Sequence, residues 1–148
     1  MHVARSDPMF PRRAALASLL VIATAGCRLE PTGAAAWEPL PVYREWFART
    51  EACSGLRGDF DRIDWYVVPG HSFPCDGGDC TAHWSSDHTI HIAEDWVASE
   101  MVVRHEILHD LLGRAGHPDP PFGSLCPLTW DTWPASGGST ARPAVRID

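Results

Sequence analysis

The sequence predicts an α+β domain: a short twisted sheet packed on an active-site helix and stapled by disulfides. Three observations carry this expectation. Ile63 to Val68 (IDWYVV) and Thr89 to Ala93 (TIHIA) have the β-branched, aromatic or alternating character of strands. Val42 to Cys53 and Met101 to Leu112 place apolar residues at helical spacing. Cys53, Cys75, Cys80 and Cys126 form an even set in a chain whose start reads as an export signal.

The chain has 148 residues, the length of one domain. Its start stands apart. Arg12 and Arg13 form a basic region, and Ala14 to Ala25 (AALASLLVIATA) is an apolar run too short to cross a bilayer as a stable helix. The run ends in Thr24-Ala25-Gly26-Cys27, which resembles a bacterial lipobox with Thr24 where Leu is usual. Cys27 is then the lipidated residue, and the alternative is an ordinary secretory signal with a chance Cys. The Arg pair is also weakly similar to a twin-arginine signal. Residues 1–26 read as a lipoprotein signal peptide, 27–41 as a tether, 42–133 as the folded domain and 134–148 as a loose tail. The expected location is the cell envelope, with the chain anchored to a membrane by its N-terminal lipid alone.

The net charge is −7, and loss of Arg5, Asp7, Arg12 and Arg13 with the leader makes the remainder more acidic. This argues against nucleic acid and against electrostatic adhesion to anionic lipid. The chain contains no Lys, for which we have no functional account.

Taken in order, Glu30 to Pro41 is rich in Ala, Pro and Gly, as tethers are. Val42 to Cys53 is the first helix, stopped by Gly55 and Gly58. Ile63 to Val68 is a core strand ended by Pro69-Gly70. His71 to Asp79 reads as loop, and Thr81 to Trp84 as a short strand. Thr89 to Ala93 is the next strand, with Ile90 and Ile92 toward the core and His91 on the other side. Asp95 or Ser99 caps the second helix, and the sequence leaves both open. Met101 to Leu112 is its body. Val102, His105, His109 and Leu112 share a stripe, Leu108 and Leu111 bury beside it, and Glu100 pairs with Arg104. Gly113 closes it. Pro118, Pro120, Pro121 and Pro127 forbid long regular structure afterwards. The seven Trp are expected in the core and the cleft wall.

Three disulfide pairings are possible for four cysteines. The favoured one joins Cys75 to Cys80 across a Gly-rich loop (CDGGDC) and Cys53 to Cys126 across the domain. A competing arrangement is a second zinc site from Cys75, Cys80, His83 and His88.

His105-Glu106-Ile107-Leu108-His109 carries the chemistry. Two His four apart on a helix lie one turn apart on one face, so both imidazoles can reach one ion. Glu106 beside them can take a proton from metal-activated water. A catalytic zinc needs a third protein ligand. His117 is the best candidate, in Gly113-Arg114-Ala115-Gly116-His117-Pro118, with Asp119 second and His91 third. Asp110 can orient a ligand His or stand as an exposed helix carboxylate. Tyr66 and His71 are the candidates for steadying an oxyanion. No role is assigned to His71, His83, His88 or His91 beyond these.

The stretch HTIHIAEDWVASEMVVRHEILHDLLGRAGHP resembles the core of a zincin metallopeptidase. It is most similar to small bacterial zincin-like lipoproteins with an HExxH…GHP pattern. The resemblance spans roughly residues 63–126, and only the HExxH and its helix are specific. It implies a zincin-like fold, one catalytic Zn2+, His105 and His109 as ligands and Glu106 as general base. It also implies that the strand at Thr89 to Ala93 rims the cleft and pairs with an extended substrate. His117 departs from the metzincin pattern, lying eight residues after His109 rather than six. No Met-turn follows the helix, and no Glu after Glu106 can serve as a gluzincin ligand.

The expected function is therefore a zinc-dependent hydrolase, a metallopeptidase acting on a peptide or protein as a monomer. Two other classes stay open: a lipoprotein that holds zinc without turnover, and a disulfide-bonded surface module that binds a partner without metal.

Overall fold

The computed structural model describes residues 30–134. The stretch read as a signal peptide, Cys27, and all but the first residue of the stretch read as a C-terminal tail lie outside them. Eight elements order as β1 (Ala35–Ala36), α1 (Val42–Ser54), β2 (Asp64–Val68), β3 (Phe73–Cys75), β4 (Gly78–Cys80), β5 (Ala82–Ser85), β6 (Thr89–Ala93) and α2 (Glu100–Leu112). The class is α+β, as expected.

Four strands form one sheet in the order β1-β2-β6-β5. β2 and β6 run parallel, and β1 and β5 lie antiparallel at the two ends. Trp65, Ala82, Trp84, Ile90 and Ile92 project from one face. They pack with Tyr43, Trp46 and Phe47 of α1 and with Met101, Val102, Val103 and Ile107 of α2. Buried positions on α1 fall at Tyr43, Trp46, Phe47 and Thr50, one helical face. Tyr43 meets Trp65 edge-on at 5.0 Å between centroids, so α1 touches the sheet as well as α2.

Ser99 is the cap of α2, its side chain accepting from the Val102 N–H at 3.5 Å. Asp95 instead sits in a single 3-10 turn over Glu94–Trp96. Gly113 ends the helix at φ 63°, a left-handed conformation natural to glycine. Glu100 and Arg104 pair at 2.9 Å.

Three expectations need correction. Ala35 and Ala36, read as tether, pair with Val67 and Tyr66, because β2 would otherwise expose an edge to water. The stretch read as loop after Val68 holds the hairpin β3–β4, short strands that leave too little pattern to read. β6 does not rim a cleft, since β2 and β5 occupy both its edges; the edge strands of the sheet are the two-residue β1 and the longer β5.

Both favoured cysteine pairs are at disulfide distance. The Cα atoms of Cys53 and Cys126 lie 5.4 Å apart, and those of Cys75 and Cys80 lie 5.9 Å apart. The long-range pair ties the end of α1 to the irregular segment after α2. That segment packs Phe122, Cys126 and Leu128 against Leu108, on the side of α2 away from the sheet core.

Candidate metal centre

α2 is buried nearly all round, with Met101 to Val103 and His105 to Asp110 all inside. A helix so enclosed needs a reason for polar residues at four interior positions. His105 is 1% exposed, Glu106 and His109 0%, and Asp110 2%. The two imidazoles lie one turn apart, and a chain reversal after Gly113 brings His117 to them. Gly116 at φ 83° shapes that return.

The three rings converge. His105 Nε2 stands 3.1 Å from His109 Nε2 and 3.0 Å from His117 Nε2. Ligand nitrogens around a tetrahedral ion at zinc-like bond lengths lie about 3.3 Å apart. Their outer nitrogens explain the arrangement. His105 Nδ1 donates to the Leu128 carbonyl at 2.6 Å, and His109 Nδ1 donates to the Arg114 carbonyl at 3.1 Å. A neutral imidazole carries one N–H, so both Nε2 atoms present lone pairs to each other. Facing lone pairs repel unless a cation lies between them. The Leu128 and Arg114 carbonyls thus select the tautomer that metal ligation would require.

Electrostatics agree. Burial, and then the adjacent His109, push the His105 pKa well below the ordinary imidazole value; the Leu128 hydrogen bond opposes them, and His117 adds to the lowering. The ring is held neutral, the form that ligates. The Phe122 ring backs all three imidazoles, with centroids 5.0, 5.0 and 4.8 Å away. Trp84 stacks on His109 at 6.2 Å. His117 is the exposed member of the set, so the centre opens to solvent on its side.

His105, His109 and His117 are the one group of three or more ligating side chains close enough to hold an ion among the described residues. Asp119, the second candidate, accepts from the backbone N–H of Ser124 at 3.1 Å and from its hydroxyl, closing its own turn. His91, the third candidate, projects from the opposite sheet face. Tyr66 stacks on His91 at 5.0 Å, and His71 pairs with Asp95 at 3.2 Å. Neither is directed to the triad. The cavities of 470 Å³ and 680 Å³ also lie elsewhere, since none of the three His lines them.

Asp110 is neither exposed nor a partner of a ligand His. It is 2% exposed, and its Oδ1 accepts from Trp84 Nε1 at 3.0 Å and contacts His88 Nδ1 at 2.7 Å. His88, at φ 66° in the β5–β6 turn, thereby ties an edge of the sheet to the helix that carries His105 and His109. This commitment of His88 and the Cys75–Cys80 pair leave the alternative four-residue zinc site unassembled. Sequence reasoning missed His88, Phe122 and the two carbonyls. An αL histidine leaves no pattern in sequence, and a carbonyl has no residue identity to read.

No protein-family model matches the chain, and comparison with curated proteins and with solved structures finds no match.

Proposed function

We propose that the chain is a zinc-dependent hydrolase of the zincin type, cleaving peptide bonds at the envelope surface to which Cys27 anchors it. One observation carries the reading: three imidazoles converge on one point, with Glu106 on the helix that carries two of them. Imidazole sets of this kind suit Zn2+. Three protein ligands leave a coordination position open, as catalytic zinc sites do.

Zinc bound there supplies Lewis-acid polarisation of a carbonyl and an acidified water. The chain's own residues do the rest. His105, His109 and His117 hold the ion, with Phe122 as an apolar floor that keeps bulk water from that side. Glu106 takes the proton from the attacking water and delivers it to the leaving nitrogen. β5 offers an extended substrate a strand to pair with. The Ala93 N–H bonds the Thr81 carbonyl, so by alternation the backbone groups of Ala82 and Trp84 point out of the sheet. Trp84 also stacks on His109, which sets that edge beside the metal.

The complete burial of Glu106 favours a second reading, a protein that holds zinc without turning over substrate. One experiment separates them. Metal content and hydrolysis of a peptide library are measured for wild type, Glu106→Gln and His117→Ala. The hydrolase reading expects one zinc per chain in wild type, zinc without hydrolysis in Glu106→Gln, and weakened zinc in His117→Ala. Wild type that binds zinc but cleaves nothing supports the holding protein. Wild type that takes up no zinc refutes both and leaves a metal-free interaction module.

A further inference from the structure

The sheet has a second histidine pair on the face turned away from α2. In the antiparallel β5–β6 ladder His83 lies directly opposite His91. Their neighbours Ala82, Trp84, Ile90 and Ile92 enter the helix-side core, so the strand alternation turns both imidazoles the other way. The bond from the Ala93 N–H to the Thr81 carbonyl makes His83–His91 a hydrogen-bonded pair, with Cα atoms about 5.5 Å apart. Side chains so placed are direct cross-strand neighbours on one face of the sheet.

Both rings line the 680 Å³ cavity on that face. His91 is 6% exposed, and its Nε2 is buried with no hydrogen-bond partner. His83 Nδ1 is buried and unpartnered as well. One such group is a rarity in a folded protein; two on facing residues call for a shared ligand. Glu30, Asp76 and Asp87 line the same cavity, and no Lys or Arg does. The wall therefore attracts a cation. Burial lowers the His91 pKa, which keeps the ring neutral and able to ligate. Tyr66, paired with His91 in the β2–β6 register, stacks on the ring at 5.0 Å and fixes its plane.

We propose that His83 and His91 form a second metal site, for a divalent transition-metal ion such as Cu2+, Ni2+ or Zn2+. Imidazole nitrogen selects these over Mg2+ and Ca2+, which prefer oxygen. The described residues offer no third ligand atom tightly clustered with the pair. Water or an incoming ligand completes the coordination, with the cavity's carboxylates balancing charge. The site is independent of the triad and stands whether or not the chain is a hydrolase.

The test uses Cu2+ on the untagged full chain, first loaded with one equivalent of zinc. Bound copper and retained zinc are counted, and electron paramagnetic resonance reads the nitrogens on copper. The expected result is one copper per chain, zinc retained, and hyperfine structure from two imidazoles. His83→Ala, on the open edge strand, should fold and lose that copper while keeping zinc; His91→Gln should do the same. Three outcomes overturn the proposal: no copper uptake beyond the zinc, copper that only displaces zinc one for one, or an unchanged copper signal in folded His83→Ala.

Discussion

The disulfide between Cys53 and Cys126 should matter to the metal centre as well as to the fold. Its ends are 73 residues apart in sequence, against 5 for Cys75–Cys80. In the chain-entropy account, closing loops of these sizes stabilises by about 4 and about 2 kcal/mol at 25 °C. Replacing Cys53 and Cys126 together by Ala should therefore destabilise the metal-free chain by about twice as much as replacing Cys75 and Cys80. Urea unfolding followed by Trp fluorescence measures both. The second effect is local. Cys126 precedes by two residues Leu128, whose carbonyl receives the His105 Nδ1–H at 2.6 Å. Freeing that segment loosens the group that orients a ligand, and losses of this kind weaken metal binding by about 10- to 100-fold. Cys75 and Cys80 sit in the remote hairpin, so their removal should leave zinc affinity unchanged. Competition with a fluorescent zinc chelator gives both constants. Equal destabilisation by the two double variants, or equal loss of zinc affinity, would refute the reasoning.

Two further perturbations follow from buried polar contacts. Asp110→Ala removes the shared acceptor of Trp84 and His88 and leaves the buried indole N–H unsatisfied, which should cost about 2–3 kcal/mol in urea unfolding. Asp110→Asn, which keeps an acceptor oxygen, should recover part of that loss. The Tyr43 phenol donates to the Val97 carbonyl at 2.6 Å, and burial raises its pKa above the usual 10. A raised folded pKa means that the unfolded chain loses its proton first. The stabilisation is complete below pH about 10 and is lost as pH rises past it. Melting temperatures at pH 8 and pH 11 should show a smaller drop in Tyr43→Phe than in wild type. At pH 8 that variant should be less stable by about 1 kcal/mol.

Much of this was readable from residues because the signals are local. α2 announces itself by its stripe and Gly113, while its cap stays open between Asp95 and Ser99, and the HExxH spacing by itself puts His105 and His109 on one turn. His117 was found because the glycines around it permit a return toward the helix. What escaped depends on pairing between distant segments. Ala35 and Ala36 carry no strand pattern and become a strand only because β2 needs a neighbour. That Thr89–Ala93 is an interior strand follows from β5 taking its second edge, a matter of topology. The facing of His83 and His91 depends on register, where a slip by one residue would send both side chains into the core. Asp110 looked as ready for solvent as for burial, and only the approach of Trp84 and His88 decides it.

The two rings of the HExxH segment are oriented by main-chain oxygens, those of Arg114 and Leu128. A carbonyl is supplied by every amino acid. Substitutions such as Arg114→Gln or Leu128→Met can therefore accumulate without disturbing the oxygens that steer the imidazoles, provided the backbone keeps its path. Insertions and deletions cannot, because they move the oxygens themselves. The loop after the helix is thus free in its letters and strict in its length. Chains that share this centre would show the two histidines and the Glu at fixed spacing, a third His at a set distance, and little else in common.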